Sequence, residues 1–290
     1  MKVTGFSIIR NAVKYDYPIV EAIQSVLPVC DEFVIGIGQS EDDTIALIEN
    51  INSPKIKIIH TIWDDSLRTG GLVLSDETNK VFKAIEEDTD WCFYIQGDEV
   101  IHEQYHKAIR SGMQQYLDDK RVDGLLFKYL HFYGSYDYVG SSTRWYPHEI
   151  RIIRNNKSIY SYKDAQGFRK GDDEKLQVKL LDAYVYHYGW VKDPRAMQRK
   201  QENFHKMWHD DAWLESNVIK AEAFDYVGDI DELAKFTGTH PAVMQARINR
   251  INWQFDYDIS YNKRSLKTKF KQFAEDVLGI SMSYKNYKLI

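Results

Sequence analysis

This chain predicts an α/β fold built on a mostly parallel sheet flanked by helices, and three observations carry that expectation. Strand-length apolar runs recur through the first hundred residues, at 3–9, 33–37, 56–62 and 91–96, with helical patterns between them. Strands separated by helices need crossover connections, so their neighbours in the sheet run parallel. Each run also breaks off into polar or glycine-bearing residues, at Arg10-Asn11, Gly36 to Asp43, Thr61 to Gly71 and Gln96 to Glu99. That is the composition expected at the carboxyl edge of an open sheet, where ligands bind. Finally, 290 residues with only two cysteines, Cys30 and Cys92, are enough to bury a core without a disulfide framework.

The elements follow in order. After the first run, Asp16 is placed to cap the helix IVEAIQSVL and Pro18 suits its first turn. The second run leads into GQSEDDTIALIENI, where Ser40 and Asp43 have the spacing of a capping box. The third leads through Gly70-Gly71 to a helix ending near Ile85, and the fourth stops at Gly97-Asp98-Glu99. Beyond residue 100 the rhythm fades. A helix is predicted over 103–117, and strands over 123–131, 149–154 and 178–188. Further helices are predicted over 194–213, 239–251 and 265–278. No repeat or low-complexity linker divides the chain.

Hydrophobic residues at 43% and charged residues at 28% are globular values and argue against disorder. A net charge of −5 argues against a nucleic-acid binder. The sparse cysteines suit a reducing cytosol; neither a signal peptide nor a membrane-spanning run is expected. Aromatic content is high, with 20 Tyr, 13 Phe and 7 Trp, and flat apolar faces with polar edges can stack on sugars or bases. From Lys263 to Lys271 there are five cations, and Leu266, Phe270, Phe273 and Val277 form a stripe on the predicted last helix. Either that helix packs on the domain, or residues 263–290 make peripheral contact with anionic lipid.

Four groups of residues could do chemistry. In FYIQGDEV a strand delivers Asp98 and Glu99 to a loop, where hard oxygen ligands can hold a divalent cation; the plain alternative is a solvated acidic loop. In GIGQSEDDT the third glycine of a dinucleotide fingerprint is replaced by Glu41, which excludes a nicotinamide site. In VYHYGW, His187 ends a strand and could join Asp98 at a metal, or be a hydrogen-bonded core histidine. His205 and His209 match half a zinc site but lack evident partners. The fourth group is Glu149-x-Arg151 with Asp164: a carboxylate there could deprotonate a hydroxyl, or simply form an ion pair.

In this order the motifs resemble the family 2 glycosyltransferases, which have the GT-A fold. The matching segments are Ile9-Arg10-Asn11, Ser40-Glu41-Asp42-Asp43-Thr44, Asn79 in SDETNKVF, and WCFYIQGDEV, a Gln-x-Asp-Glu variant of the Asp-x-Asp motif. WYPHEIRIIRN, FR and HYGWV extend the likeness. The resemblance implies a GT-A-like catalytic domain over 1–215, with a nucleotide-binding half (1–100) and an acceptor half (101–215), then a C-terminal helical extension over 216–290. It implies donor contacts from Arg10, Asn11, Gln39, Asp42, Arg68, Asn79, Gln96 and Asp98. A divalent metal (Mn²⁺ or Mg²⁺) would be held by Asp98 and His187. A UDP-sugar donor is favoured, with a glycan or lipid-linked acceptor in bacterial surface polysaccharide synthesis, at the cytoplasmic face of the membrane. Asp164 is the first choice for the base of an inverting displacement and Glu149 the second, while Arg68, Arg151 and Arg154 could bind phosphates. Two positions depart from the family. Ile37 replaces the usual base-reading Asp, and Gln96 replaces the first Asp of the metal motif. Those departures leave an inactive binding or scaffold protein as an alternative. A sugar nucleotidyltransferase is a further one, although FSIIRNAVKYD lacks the Gly-rich loop that class needs.

Overall fold

The computed structural model describes residues 1–209, 211–217, 221–228, 230, 232–261 and 285–290. Its parallel block consists of β1 (Val3–Ile9), β2 (Glu32–Gly38), β3 (Ile56–Thr61) and β4 (Trp91–Tyr94), in the spatial order β4-β1-β2-β3. The crossovers carry α1 (Ile19–Val26), α2 (Thr44–Glu49) and α3 (Leu72–Lys83). Every residue of β1 and β4 is buried, because both faces of a parallel sheet are covered and its strands read as continuous apolar runs.

The second half begins with β5 (Glu99–Ile101), α4 (His106–Gln115), β6 (Gly124–Tyr133), β7 (Tyr138–Gly140) and β8 (His148–Arg154). Strand β8 sits antiparallel between β4 and β6 and so joins the two halves into one sheet. A small separate sheet follows, of β9 (Ile159–Tyr162), β10 (Gly167–Lys170) and β11 (Glu174–Lys175). The long β12 (Gln177–Trp190) runs parallel to β6 and antiparallel to β5. Then come α5 (Pro194–Lys206), α6 (Asp211–Asn217), β13 (Leu233–Lys235), the four-residue α7 (Gln245–Ile248) and β14 (Lys288–Leu289). The α/β class with its parallel core is the one the sequence predicts.

Local expectations fared less evenly. Asp16 does not cap α1: it has φ 49°, and its carboxylate takes the Arg247 guanidinium at 2.5 Å, while Pro18 occupies the cap position. No capping box forms at Ser40 and Asp43. Asp42 Oδ1 instead accepts the Thr44 N–H at 3.0 Å, and Ser40 Oγ accepts the Asn11 N–H at 3.0 Å. The helix predicted over 239–251 shrinks to a 3₁₀ turn at Ala242–Met244 and α7, because the N–H groups of Arg250 and Ile251 turn to the carbonyls of Arg247 and Ile248. After residue 216, β13 pairs with β7 and β14 lies beside β12, so these pieces extend the sheet. The helix predicted over 265–278, which carries the lipid-contact expectation, lies outside the described residues. Among those described, no helix is long and apolar enough to cross a membrane. Both cysteines are buried thiols.

Candidate functional site

The strand ends converge on a cavity of about 440 Å³. Arg10 follows β1, Trp63 follows β3, and the turn Gln96-Gly97-Asp98 follows β4. His187 comes from β12, Asp164 from the β9–β10 turn, and α5 forms one wall with Lys200, Phe204 and His205.

Asp98 is the electrostatic centre of this cavity. Burial alone would raise its pKa, but the adjacent Lys200 ammonium holds the carboxyl well below the usual carboxylate range. Its Oδ2 accepts from Lys200 Nζ at 3.0 Å, and Oδ1 faces His187 Nε2 at 3.8 Å. The tautomers follow from the bonds. His131 Nε2 lies 2.8 Å from the Tyr146 carbonyl, which only accepts, so that nitrogen carries the proton. Burial and the neighbouring His187 push the His131 pKa down to about 3, so the ring is neutral and its Nδ1 is an acceptor. His187 Nδ1, 3.1 Å away, therefore donates to it. Burial also lowers the His187 pKa, which leaves Nε2 as a bare lone pair turned toward a carboxylate. Two electron-pair donors facing each other with no proton between them fit a shared cation. Gly189 keeps the gap open: a Cβ there would lie 2.6 Å from His187 Nε2 and 2.9 Å from Asp98 Oδ2. Asp98 and His187 thus suit a divalent metal, although among the described residues no third His, Cys, Asp or Glu joins them.

The other two acids of the motifs behave differently. Glu99 is fully buried and does not face the cavity. Its carboxylate forms a two-pronged pair with Arg151 at 2.7 and 2.8 Å, and also accepts from the Tyr129 hydroxyl and the Gln96 N–H. Arg151 is therefore unavailable to phosphates, and so is Arg154, whose guanidinium serves four backbone carbonyls above the Trp91 ring. Gln96 lines the cavity and donates Nε2 to the Ala165 carbonyl at 3.2 Å, tying the turn after β4 to the loop that carries Asp164. That loop is strained on both sides of the acid, with Lys163 at φ 54° and Ala165 at φ 60°. Gly71, itself at φ 73°, lets it approach, since a Cβ there would lie 2.9 Å from Asp164 Cβ. Burial raises the Asp164 pKa above its ordinary value.

Glu149, the second-choice base, is not among the cavity-lining residues, and this corrects the sequence expectation. It is 4% exposed; Oε1 accepts from Gln166 Nε2 at 2.9 Å, and Oε2 has no partner among the described residues. Burial, opposed by Arg151 and aided by Glu99 and Asp164, raises its pKa to about 8. The folded state thus holds a proton that the unfolded chain has lost. Stability should therefore fall as pH rises from about 4.5 to about 8, with a slope approaching about 1.4 kcal/mol per pH unit from this group. Glu149→Gln should remove that slope, and its stability advantage over wild type in urea melts should widen between those limits. An advantage independent of pH would mean that Glu149 is ionised in the fold.

Several predicted contacts are structural bonds. Asn11 Oδ1 accepts the Glu41 N–H at 2.7 Å. Asp42 takes the Lys14 N–H at 2.7 Å besides that of Thr44. Asn79 clasps both backbone groups of Ser161, at 2.7 and 3.2 Å, pinning α3 to β9. Arg68 donates to the Lys206 carbonyl at 2.9 Å, and Gln39 is exposed outside the cavity lining. Arg10 lies in the cavity over the Trp63 ring at 5.1 Å and pairs with Asp65 at 2.8 Å. His209 stacks on Trp213 and His205 lies tilted against the same ring, and neither shows a metal-ligand cluster among the described residues. Sequence reasoning missed Tyr17, Trp63, Tyr146, Trp190 and Lys200, all of which line the cavity. Asp193-Pro194 does signal the start of α5, but nothing in its spacing says what that helix passes over.

No family model matches this chain, and no curated protein matches it. Among solved structures it is similar to S. aureus TarS, with 17% identity and a TM-score of 0.43, covering 77% of this chain and 41% of that one. It is similar to glucosyl-3-phosphoglycerate synthase from Mycobacterium tuberculosis in complex with Mn²⁺, UDP and phosphoglyceric acid, with 15% identity, a TM-score of 0.32 and coverages of 45% and 43%. It is also similar to 4-diphosphocytidyl-2C-methyl-D-erythritol synthase from Anaerococcus prevotii, with 12% identity, a TM-score of 0.38 and coverages of 74% and 96%. Likenesses this distant carry no weight on function.

Proposed function

We propose that the chain is a glycosyltransferase that moves a sugar from a nucleotide-sugar donor, UDP-linked by preference, to a glycan or lipid-linked acceptor of a bacterial surface polysaccharide. The observation that carries this reading is the meeting of Asp98 and Asp164 in one aromatic-lined cavity at the carboxyl edge of the parallel block. Transfer of this kind asks for two things: stabilisation of negative charge on a departing diphosphate, and removal of a proton from a weakly nucleophilic hydroxyl. The Asp98 side answers the first and Asp164 the second. Asp98 and His187 would hold a divalent cation, Mn²⁺ or Mg²⁺, which would supply Lewis-acid charge to the leaving group when bound. Asp164, in the same cavity and with its pKa raised by burial, accepts the acceptor's hydroxyl proton as the oxygen attacks the anomeric carbon, giving inversion. Tyr17, Trp63 and Trp190 give the cavity an aromatic lining against which a base or sugar can pack.

The test is a thermal-shift panel of nucleoside diphosphates with and without Mn²⁺, followed by donor-turnover assays on the binder found. Asp98→Asn should lower turnover by about 100-fold or more, and together with His187→Ala should weaken Mn²⁺ binding measured by EPR. Wild-type turnover in Asp98→Asn would refute the charge-stabilising role; absence of any nucleoside diphosphate binding would refute the donor.

A further inference from the structure

Lys200 stands out among the cavity residues because its N–H groups are only partly accounted for. Its ammonium has three N–H bonds. One goes to Asp98 Oδ2 at 3.0 Å and one to the Gly189 carbonyl at 2.9 Å, which leaves one without a partner among the described residues. The side chain is 11% exposed and lines the cavity. Behind it, the fully buried Lys192 donates to the Asp16 carbonyl, and both ammonium groups sit against the Tyr17 ring, at 4.8 and 5.0 Å. An ammonium with one N–H left over, in the lining of a confined cavity, makes an anion site, and a phosphate oxygen is a well-matched acceptor for it.

The Asp98 carboxylate also divides its work. Oδ1 faces the His187 lone pair, and Oδ2 is bridged to Lys200. From this division we infer that Lys200 binds the diphosphate of the nucleotide-sugar donor directly, as a second cation beside the metal ligands, and stays on Asp98 Oδ2 while it does so. This assignment rests on the donor reading given under Proposed function. In it, the ammonium grips the leaving group through its remaining N–H, and Asp98 orients two positive groups at once. The alternative is purely structural: Lys200 would be a staple that fastens α5 to the Gly189 turn.

The two roles differ in sign toward the metal. An ammonium 3.0 Å from the ligating carboxylate repels a second cation, so removing it should tighten metal binding, whereas loosening a staple should weaken it. Lys200→Met keeps most of the aliphatic stem and removes the charge. Calorimetric titration would use whichever of UDP, CDP, GDP or ADP binds the wild type best, in saturating Mn²⁺, with the matching nucleoside as control. The variant should bind that diphosphate roughly 10- to 100-fold more weakly, as expected for loss of a charged hydrogen bond, with nucleoside binding unchanged. Mn²⁺ alone, followed by EPR, should bind the variant more tightly than wild type. Lys200→Arg should restore most of the diphosphate affinity. Undiminished diphosphate binding by Lys200→Met would overturn the inference alone. So would weaker Mn²⁺ binding accompanied by a lower melting temperature, which is the staple's signature. Failure of all four diphosphates to bind wild type would overturn the donor reading and this inference with it.

Discussion

Asp164→Asn is expected to reduce sugar transfer by roughly 10²- to 10⁴-fold, the usual contribution of a positioned general base, while nucleoside diphosphate affinity stays at the wild-type level. The asymmetry follows from the cavity. Asp164 stands on the β9–β10 turn, in the same cavity as Asp98, and is held by its own strained backbone and by the Gln96 bridge to Ala165. An amide of the same shape keeps those bonds and loses only the ability to take a proton. Single-turnover transfer measured beside equilibrium donor binding checks the claim. A variant that loses donor affinity in step with turnover would place Asp164 on the donor instead.

The second large effect concerns stability. Glu99→Gln should destabilise the fold by about 3–5 kcal/mol, because it strands the Arg151 guanidinium in the core without its counter-charge. Both side chains are fully buried, and the carboxylate also receives Tyr129 and the Gln96 backbone. The double variant Glu99→Gln with Arg151→Met should recover much of the loss, since it removes the orphaned charge as well as its partner. Urea denaturation of the single and double variants decides this. Equal losses in both would mean that packing, and not charge, dominates the site.

The parallel half of the fold was legible because its signal is local: a covered strand reads as a largely apolar run, as β1, β2 and β4 do, and even the edge strand β3 keeps three isoleucines. The site was legible where chemistry and strand ends coincide, so that Arg10, Gln96, Asp98, Asp164 and His187 all prove to line one cavity. Asn11, Asp42 and Asn79 show what a sequence cannot separate. A polar side chain in a loop looks the same in sequence whether it bonds a ligand or a nearby backbone, and these three bond backbone. Glu99 and Arg151 are 52 residues apart, a pairing set by the insertion of β8 beside β4. Lys200 was invisible for the same cause, since helical periodicity gives a face but not its neighbour.

The short strand β14 has a consequence for the order in which the molecule is made. Lys288 and Leu289 complete the sheet beside Gln177 and Val178, and the Asn286 carbonyl receives the buried Arg169 guanidinium at 3.0 Å. A Cβ added at Gly167 would meet the Asn286 side chain at 2.0 Å and Glu149 Oε2 at 3.4 Å, so this segment also closes over the buried acid. During synthesis everything up to β12 emerges well before this piece. Until it arrives, a growing chain exposes the strand edge of β12, Arg169 and the Glu149 neighbourhood. Docking of residues 285–290 beside β12 is then a late, non-local closure, slow by nature. Shortened products that stop before residue 285 should linger as protease-sensitive, aggregation-prone species, even though every residue lining the cavity has already been made.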